Sequence, residues 1–285
     1  MPLAALGLVL IAAVMHAGWN LLVKQTKQQQ VFAGWALLIG SLCFLPLLFL
    51  YPALPIGIWP YILASACMEA AYLLALTWAY RLDDFSLVYP IARGSAPAFL
   101  FVWSALFLHE PVRPGGLSGV ALLVGGLILI GSGPFLSRRE KTTVSAKGIG
   151  VALLTALCIS IYSAIDGAAV RLVPSLPYTI LVFLLTSVLV APMIVWRYGM
   201  SSVGSEWKSG WLKIVPVGIC MTLTYVLVLQ AYAIGRVSYA GAIREVSVVI
   251  AALVGWRWLG EGFGRIRMLG SLLIFLGILV IALFG

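Results

Sequence analysis

Residues 229–261 read LQAYAIGRVSYAGAIREVSVVIAALVGWRWLGE and place two adjacent charges inside an apolar stretch long enough to cross a bilayer. The same pattern occurs in the first half of the chain, in residues 77–110, TWAYRLDDFSLVYPIARGSAPAFLFVWSALFLHE. The matched pairs are Ala79-Tyr80 with Ala231-Tyr232, Ser86 with Ser238, Ile91 with Ile243, Arg93 with Glu245, and Glu110 with Glu261. A long charged repeat inside an apolar chain predicts a duplicated membrane protein with a polar site between its halves.

The composition argues against a water-soluble fold. Of the 285 residues, 62% are hydrophobic and 9% are charged, whereas soluble domains are about 25% charged. Apolar runs of about 20 residues indicate membrane helices rather than barrel strands. The net charge of +9 lies mostly in short loops between these runs, so we attribute it to membrane topology and expect no nucleic-acid partner.

Ten spans can be drawn, which predicts an all-α polytopic membrane protein of ten transmembrane helices. The spans are 3–23, 31–50, 58–80, 86–108, 115–133, 147–170, 178–197, 211–233, 238–258 and 266–284. A polar, basic linker at 134–146 separates a first five-helix repeat, 1–133, from a second, 147–285. Because five is odd, the two copies must cross in opposite senses, and such inverted repeats place a substrate site near the midplane.

The cysteines and the first span need separate interpretations. All four cysteines, Cys43, Cys67, Cys158 and Cys220, lie in apolar runs without a CxxC or metal-ligand spacing, so we expect buried free thiols. The first run lacks a basic n-region and continues into further spans, so we interpret it as a retained helix rather than a signal peptide.

The loop charges predict an orientation. Loops after odd-numbered spans hold most of the Lys and Arg residues, so the positive-inside rule places them in the cytoplasm. Both termini would then be extracytoplasmic in a plasma (inner) membrane. Two longer connections are expected, at 134–146 and at 198–210.

Two features carry a resemblance to a known family. Spans four and nine close with His109-Glu110 and Gly260-Glu261, and spans five and ten are Gly-rich with Gly115-xxx-Gly119 suited to close helix packing. With its five-plus-five arrangement, almost the whole chain resembles the EamA branch of the drug/metabolite transporter superfamily. The stretch MHAGWN, residues 15–20, also resembles a subgroup found alongside phosphonate-utilisation proteins.

The resemblance implies transport of small metabolites through a central cavity lined by spans one to four and six to nine, with spans five and ten behind. Members of this family usually keep both termini in the cytoplasm and often end in a basic tail. This chain ends IALFG, so we follow its loop charges instead.

Charged side chains at membrane depth cost about 2.5–3.5 kcal/mol each and are functional candidates by default. Glu69 lies in the middle of span three and shares a helical face with Ser65 and Tyr72. Its carboxylate could bind a cationic group or carry a proton. The structural alternative is a neutral or Arg-paired glutamate that holds helices together.

Spans one and six align so that Asn20 falls opposite Asp166 and His16 opposite Tyr162, with Trp19 beside Asn20. We expect these residues to face each other across the cavity. His16 titrates near neutral pH, so the candidates for proton coupling are His16, Glu69 and Asp166. The alternative for His16 is a satisfied core histidine, and two histidines without cysteine partners predict no metal site.

Arg93, Arg244 and Glu245 lie in the first two turns of spans four and nine. Adjacent helical residues point about 100° apart, so Arg244 and Glu245 should not pair cleanly. We expect Glu245 to be the structural partner of Arg93, which leaves Arg244 for Glu69, Asp166 or an anionic substrate group. The alternative is a closed structural network, and Tyr89, one turn before Arg93, is a further candidate.

The site predicted from sequence therefore carries both signs of charge, which favours a zwitterion such as an amino acid or an aminoalkyl compound. The residues expected to contact the solute are Trp19, Asn20, Glu69, Tyr72, Tyr89, Arg93, Tyr162, Asp166 and Arg244. We expect Glu110 and Glu261 to be surface turn residues or loop anchors.

We predict a secondary transporter that needs no cofactor and is not an enzyme. Its partners would be membrane lipid, a small solute and, if transport is coupled, protons. An intramembrane lipid-modifying enzyme and a non-transporting scaffold are the alternatives. Proton coupling, uniport and exchange stay open, as do monomer and homodimer.

Overall fold

The computed structural model describes residues 1–82, 85–136, 146–247, 249–250 and 265–284. Within these ranges the chain forms ten α-helices and no strand. The helices are α1 (Leu3–Lys24), α2 (Gln29–Phe44), α3 (Trp59–Leu82), α4 (Phe85–Phe107), α5 (Pro114–Leu136), α6 (Ala146–Ala169), α7 (Ser175–Tyr198), α8 (Met200–Ile234), α9 (Val237–Arg244) and α10 (Arg265–Phe284). The all-α class predicted from the sequence is confirmed for the described part of the chain.

Six stretches of the described chain are long and apolar enough to cross a membrane. They are Leu3–Val23, Gln29–Leu50, Ile56–Ala79, Ala146–Ala169, Ser175–Tyr198 and Met200–Ile234. Shorter apolar stretches lie in α4, α5 and α10. Much of predicted span nine, with Glu261, and most of the predicted linker lie outside the described residues.

The predicted connection at 198–210 is wrong, because α8 begins at Met200. Gly199, at φ 76°, makes the whole turn between α7 and α8, and its N–H bonds to the Val195 carbonyl. A glycine tolerates this left-handed backbone without steric cost. The 35 residues of α8 span about 52 Å, more than the ~30 Å hydrocarbon core of a bilayer.

The second predicted span changes its helix type near its end. It is α-helical to Phe44 and continues as a 3₁₀ segment over Leu45–Leu50. Pro46 lies at the start of that segment. Proline lacks an N–H and clashes with the carbonyl four residues back, so an α-helix cannot continue through it undisturbed.

The expectation that all four cysteines are buried is wrong for two of them. Cys43 and Cys67 are exposed, Cys158 is buried and Cys220 is half-buried, and all four are free thiols. In a chain of membrane helices the outer surface is itself apolar, so an apolar run does not distinguish lipid-facing from core-facing thiols.

Helices α5 and α10 pack with their backbones in contact. A Cβ atom on Gly119 would lie 2.8 Å from the Gly277 carbonyl oxygen, and one on Gly126 would lie 2.5 Å from the Gly270 oxygen. As the residue number rises along α5, it falls along α10, so the two helices are antiparallel. The glycines of this pair serve close packing, as their spacing predicted.

The two halves of the chain contact each other as an exchangeable pair. Helices α2 and α7 also run antiparallel, with Gly34 against Ile194 and Gln30 against Tyr198. Most other contacts between the halves come in swapped pairs: α1 on α8 with α6 on α3, α2 on α8 with α7 on α3, and α1 on α9 with α6 on α4. Such swapping describes an approximate twofold relation between the repeats.

The bundle has two ends, named here by their loops. The even-loop end is where α2, α4, α6 and α8 finish, and the odd-loop end is where α1, α3, α5 and α7 finish. The main apolar core lies toward the even-loop end, where α1 and α7 begin and α8 finishes. Fully buried members of this core include Val9, Ile62, Tyr178 and Tyr232.

Candidate functional site

A cavity of about 450 Å³ lies between the two repeats. Helices α1 to α4 and α6 to α9 all contribute to its wall, and α5 and α10 contribute no wall residue within the described ranges. The family resemblance implied this arrangement. The wall reaches the odd-loop end, where it includes Gln30 near the start of α2, Thr77 near the end of α3 and Val203 near the start of α8.

Glu69 provides a carboxylate in the cavity wall. It is 7% exposed, and Thr186 Oγ1 on α7 donates a 2.9 Å hydrogen bond to its Oε2. A hydrogen bond to a carboxylate is charge-assisted and fixes its orientation. Helix α3 of the first repeat and α7 of the second therefore meet at this carboxylate.

Two arginines face the cavity around one glutamate. Arg93 Nε lies 3.0 Å from Glu245 Oε2, and Arg244 Nε lies 3.5 Å from Glu245 Oε1. Both arginines line the cavity, whereas the Glu245 side chain is 1% exposed. The structure thus forms the Arg93–Glu245 pair expected from the repeat alignment.

Arg244 and Glu245 lie within ion-pair distance, against the expectation that they would not pair cleanly, although Arg244 Nε forms no hydrogen bond in the described structure. Helix α9 ends at Arg244, and Glu245 lies in the turn that follows, with ψ of −5°. The 100° separation describes the directions of the two Cβ atoms, and the long Arg244 side chain can span it. One glutamate therefore serves two guanidinium groups.

His16 extends this cluster from the first helix. Its Nε2 lies 3.3 Å from Arg93 Nη2. Because a guanidinium group only donates hydrogen bonds, Nε2 must accept, which requires a neutral ring with its proton on Nδ1. The Trp19 ring meets the His16 ring edge-on at 4.6 Å, and Asn20 Nδ2 donates to the His16 backbone carbonyl at 2.7 Å.

Asp166 does not line the cavity, which corrects its predicted place among the solute contacts. Its carboxylate is fully buried and accepts a 2.7 Å hydrogen bond from the Tyr178 hydroxyl. The Tyr225 hydroxyl donates to its other oxygen. Tyr225 itself lines the cavity, so Asp166 lies behind it, satisfied by two phenol donors as a buried anion requires.

Aromatic side chains form much of the remaining wall. The rings of Tyr72 and Tyr162 lie 6.2 Å apart, and those of Phe183 and Tyr225 lie 4.8 Å apart. All four line the cavity. Such faces attract organic cations.

Three further residues complete the comparison with the sequence. Thr186 was missed, and its only signal was a hydroxyl inside the apolar run of α7. The side chain of Tyr89 lies outside the described structure. Glu110 is buried rather than at the surface, although it does anchor a loop, accepting hydrogen bonds from Val237 and Ser238.

Comparison with known proteins places this architecture in a family. The model of the EamA-like transporter family matches residues 3–132 and 146–283. A solved crystal structure, described simply as that of a protein, superposes on this chain with a TM-score of 0.74. The match covers 98% of this chain and 99% of that chain at 17% sequence identity, so it shows the fold alone. No curated protein matches the sequence. The two matched segments together cover nearly the whole chain, which therefore belongs to the EamA-like transporter family.

Proposed function

We propose that the protein is a secondary transporter that moves a small zwitterionic or amine-containing metabolite across the plasma membrane by alternating access. The observation that carries this proposal is the cavity between the two repeats, whose wall holds both a carboxylate and guanidinium groups. The family is one of transporters, which favours transport over catalysis or scaffolding.

The repeat geometry supports the transport mechanism. Equivalent helices of the two halves run antiparallel where they touch, as expected when a twofold axis lies in the membrane plane. Ten crossings in two inverted repeats would follow from this relation. Rocking one repeat against the other would then expose the cavity to each side in turn.

The charges in the wall support the substrate class. Arg93 and Arg244 share one glutamate, so this cluster carries a positive charge in excess when all three groups are ionised. That excess suits the acidic group of a solute. Glu69, with the tyrosine faces beside it, suits an amino group. A zwitterion such as an amino acid or an aminoalkyl compound uses both.

The loop charges and the cavity together indicate the side of the membrane toward which the cavity opens. If the basic odd-numbered loops are cytoplasmic, this conformation opens its cavity toward the cytoplasm, because the wall reaches the odd-loop end. Protons are candidates for coupling through Glu69, His16 or Asp166.

The test is transport by the purified protein in liposomes, after a ligand-stabilisation screen over amino acids, amines and aminophosphonates. Glu69→Gln should lower kcat/KM for the identified solute at least about tenfold, since it removes the charge that meets the amino group. Glu206→Gln, a half-buried carboxylate on α8 that is not part of the cavity wall, is the matched control. A folded Glu69→Gln variant with unchanged transport would remove Glu69 from the site.

A further inference from the structure

Glu110 ties the two repeats together at the even-loop end. Its Oε1 accepts hydrogen bonds from the Val237 backbone N–H at 2.7 Å and from Arg171 Nη2 at 2.9 Å. Its Oε2 accepts from the Ser238 N–H at 3.2 Å and from the Ser238 hydroxyl at 2.6 Å. Glu110 follows α4 of the first repeat, and all four donors belong to the second repeat.

This carboxylate lies on the closed side of the cavity. The cavity wall reaches the odd-loop end, while the main apolar core fills the bundle toward the even-loop end. Glu110 follows α4, Arg171 follows α6, and Ser238 lies at the start of α9. All three residues therefore lie at the even-loop end. Motion that opens this end must separate the repeats and therefore break these contacts.

We propose that Glu110, Arg171 and Ser238 form the gate that holds the even-loop side closed, an inference that rests on the proposed transport function. We call this group the latch. It opens when the repeats rock apart, and it re-forms when the cavity returns to the odd-loop side.

The latch also positions the solute site. Helix α9 is only eight residues long, with the bonds to Glu110 at its first residues and Arg244 at its last. A carboxylate at a helix N-terminus satisfies free N–H groups and complements the helix dipole. Glu110 is thus a positioning residue for Arg244, and closure of the gate is coupled to the placement of this arginine in the cavity wall.

The burial of the latch suits reversible opening. The Glu110 side chain is 7% exposed, whereas that of Arg171 is 36% exposed. Water therefore reaches the ion pair from the loop side, and the guanidinium can be hydrated as it separates. The bonds to α9 stay protected until the repeats move.

The experiment measures sided accessibility of single cysteines. In a background with the four native cysteines replaced by Ser that unfolds like the wild-type protein, Ala240→Cys reports on the even-loop side, because Ala240 is fully buried just inside the latch. Val195→Cys reports on the cavity at the odd-loop side. A membrane-impermeant maleimide is applied from each side of oriented vesicles, without solute.

The separating variant is Arg171→Gln, which breaks the ion pair and leaves the bonds to α9 in place. We expect it to raise labelling at position 240 about two- to fivefold, as an ion pair of partial exposure allows, and to lower labelling at position 195. Arg171→Lys should restore the wild-type pattern, and Lys208→Gln, an exposed residue at the odd-loop end, should have no effect.

A merely structural role gives a different pattern. Labelling that rises at both positions together, or at neither, would overturn the gate. If the reciprocal change occurs but no variant and no wild-type protein moves any solute, the proposed transport fails while the gate at this end stands.

Discussion

At the even-loop end, one buried carboxylate joins the repeats through four hydrogen bonds, one of them from an arginine. In the described part of the odd-loop end, the hydrogen bonds between the repeats come from neutral side chains. The Tyr198 hydroxyl donates to Gln30 Oε1 at 2.5 Å, and Trp35 Nε1 on α2 donates to the Val203 carbonyl on α8 at 2.9 Å. Charge-assisted hydrogen bonds are roughly twice as strong as neutral ones. The stronger hydrogen bonds between the repeats lie at the even-loop end, which the apolar core fills. The weaker ones lie at the odd-loop end, which the cavity reaches.

Under the proposed alternating access, this difference reflects a conformational state more than a difference in architecture. The two ends are built from equivalent helices, because the halves exchange across an approximate twofold relation. If the repeats rock as proposed, a symmetric fold that is closed at one end and hollow at the other is one state of the transport cycle. Variants at the centre and at each end should therefore separate the stability of the fold from the choice of side.

The largest effect is expected at the centre, where Glu245 is shared by Arg93 and Arg244. Glu245→Gln removes the only anion within ion-pair distance of Arg244 in the described structure and leaves this buried guanidinium group close to the half-buried one of Arg93. We expect the free energy of unfolding in detergent to fall by about 3–5 kcal/mol, as for other broken buried pairs. Glu206→Gln, again the matched control, should change it by less than about 0.5 kcal/mol.

Because this cluster belongs to neither end, Glu245→Gln should not produce a reciprocal change in labelling at positions 240 and 195. An unfolding free energy equal to that of the control would show that the cluster is solvated rather than sealed. That result would also weaken the assignment of its excess positive charge to the solute.

The next effect is expected at the latch. Glu110→Gln keeps the side-chain volume but replaces one acceptor oxygen by a donor that faces the donors of α9 and Arg171. We expect a loss of about 1–3 kcal/mol of unfolding free energy, the usual cost of leaving buried donors unsatisfied. Equilibrium unfolding in urea with circular dichroism measures the loss.

Glu110→Asp is the paired variant, since it keeps the charge and shortens the reach. It should retain part of the stability and of the closed-side protection. If Glu110→Gln matches the wild type in unfolding, the four bonds contribute little, and the contrast between the two ends loses its energetic basis.

The repeat alignment predicted the central cluster because equivalent positions on α4 and α9 face each other across the twofold relation. Arg93 and Glu245 are aligned and also in contact. Apolar periodicity and Gly spacing likewise predicted the helical class and the packing of α5 against α10. These features depend on local pattern or on symmetry, both of which a sequence displays.

The features that the sequence did not predict depend mainly on contacts between side chains that are far apart along the chain. The partners of Asp166 are 12 and 59 residues away along the chain, so nothing near it indicated that it would be enclosed by tyrosines. Glu110 follows a helix at a loop, which is typical of a surface residue, and its burial arises because α9 begins beside it. The start of α8 was missed because a single glycine makes a turn where a polar stretch suggested a loop.

A third variant pair tests the packing of α5 against α10, which lies outside the described cavity wall. Gly119→Ala places a methyl group 2.7 Å from Ile281 Cγ1 and 2.8 Å from the Gly277 oxygen, whereas Gly125→Ala on the same helix meets nothing within 4 Å. Overpacking of this kind costs about 1–3 kcal/mol, so Gly119→Ala should unfold at lower denaturant than Gly125→Ala.

Sided labelling should stay unchanged in both glycine variants, because α5 and α10 contribute no described residue to the cavity wall. A reciprocal labelling change in Gly119→Ala alone would show that this helix pair takes part in the rocking motion. Equal unfolding of the two variants would mean that the helices separate easily at this contact.

The smallest effect is expected at the odd-loop end, where Tyr198→Phe removes one neutral hydrogen bond to Gln30. The loss should be about 0.5–1.5 kcal/mol of unfolding free energy, or less where water replaces the hydroxyl at the half-buried Gln30. Labelling at position 195 should change by no more than about threefold. The matched control is Tyr51→Phe, a half-buried tyrosine between α2 and α3 at the other end of the bundle.

A loss of unfolding free energy in Tyr198→Phe larger than that in Glu110→Gln would reverse the ranking of the two ends. A neutral hydrogen bond would then hold the repeats together more strongly than the charged latch. The closed side would in that case be set by the apolar core rather than by Glu110.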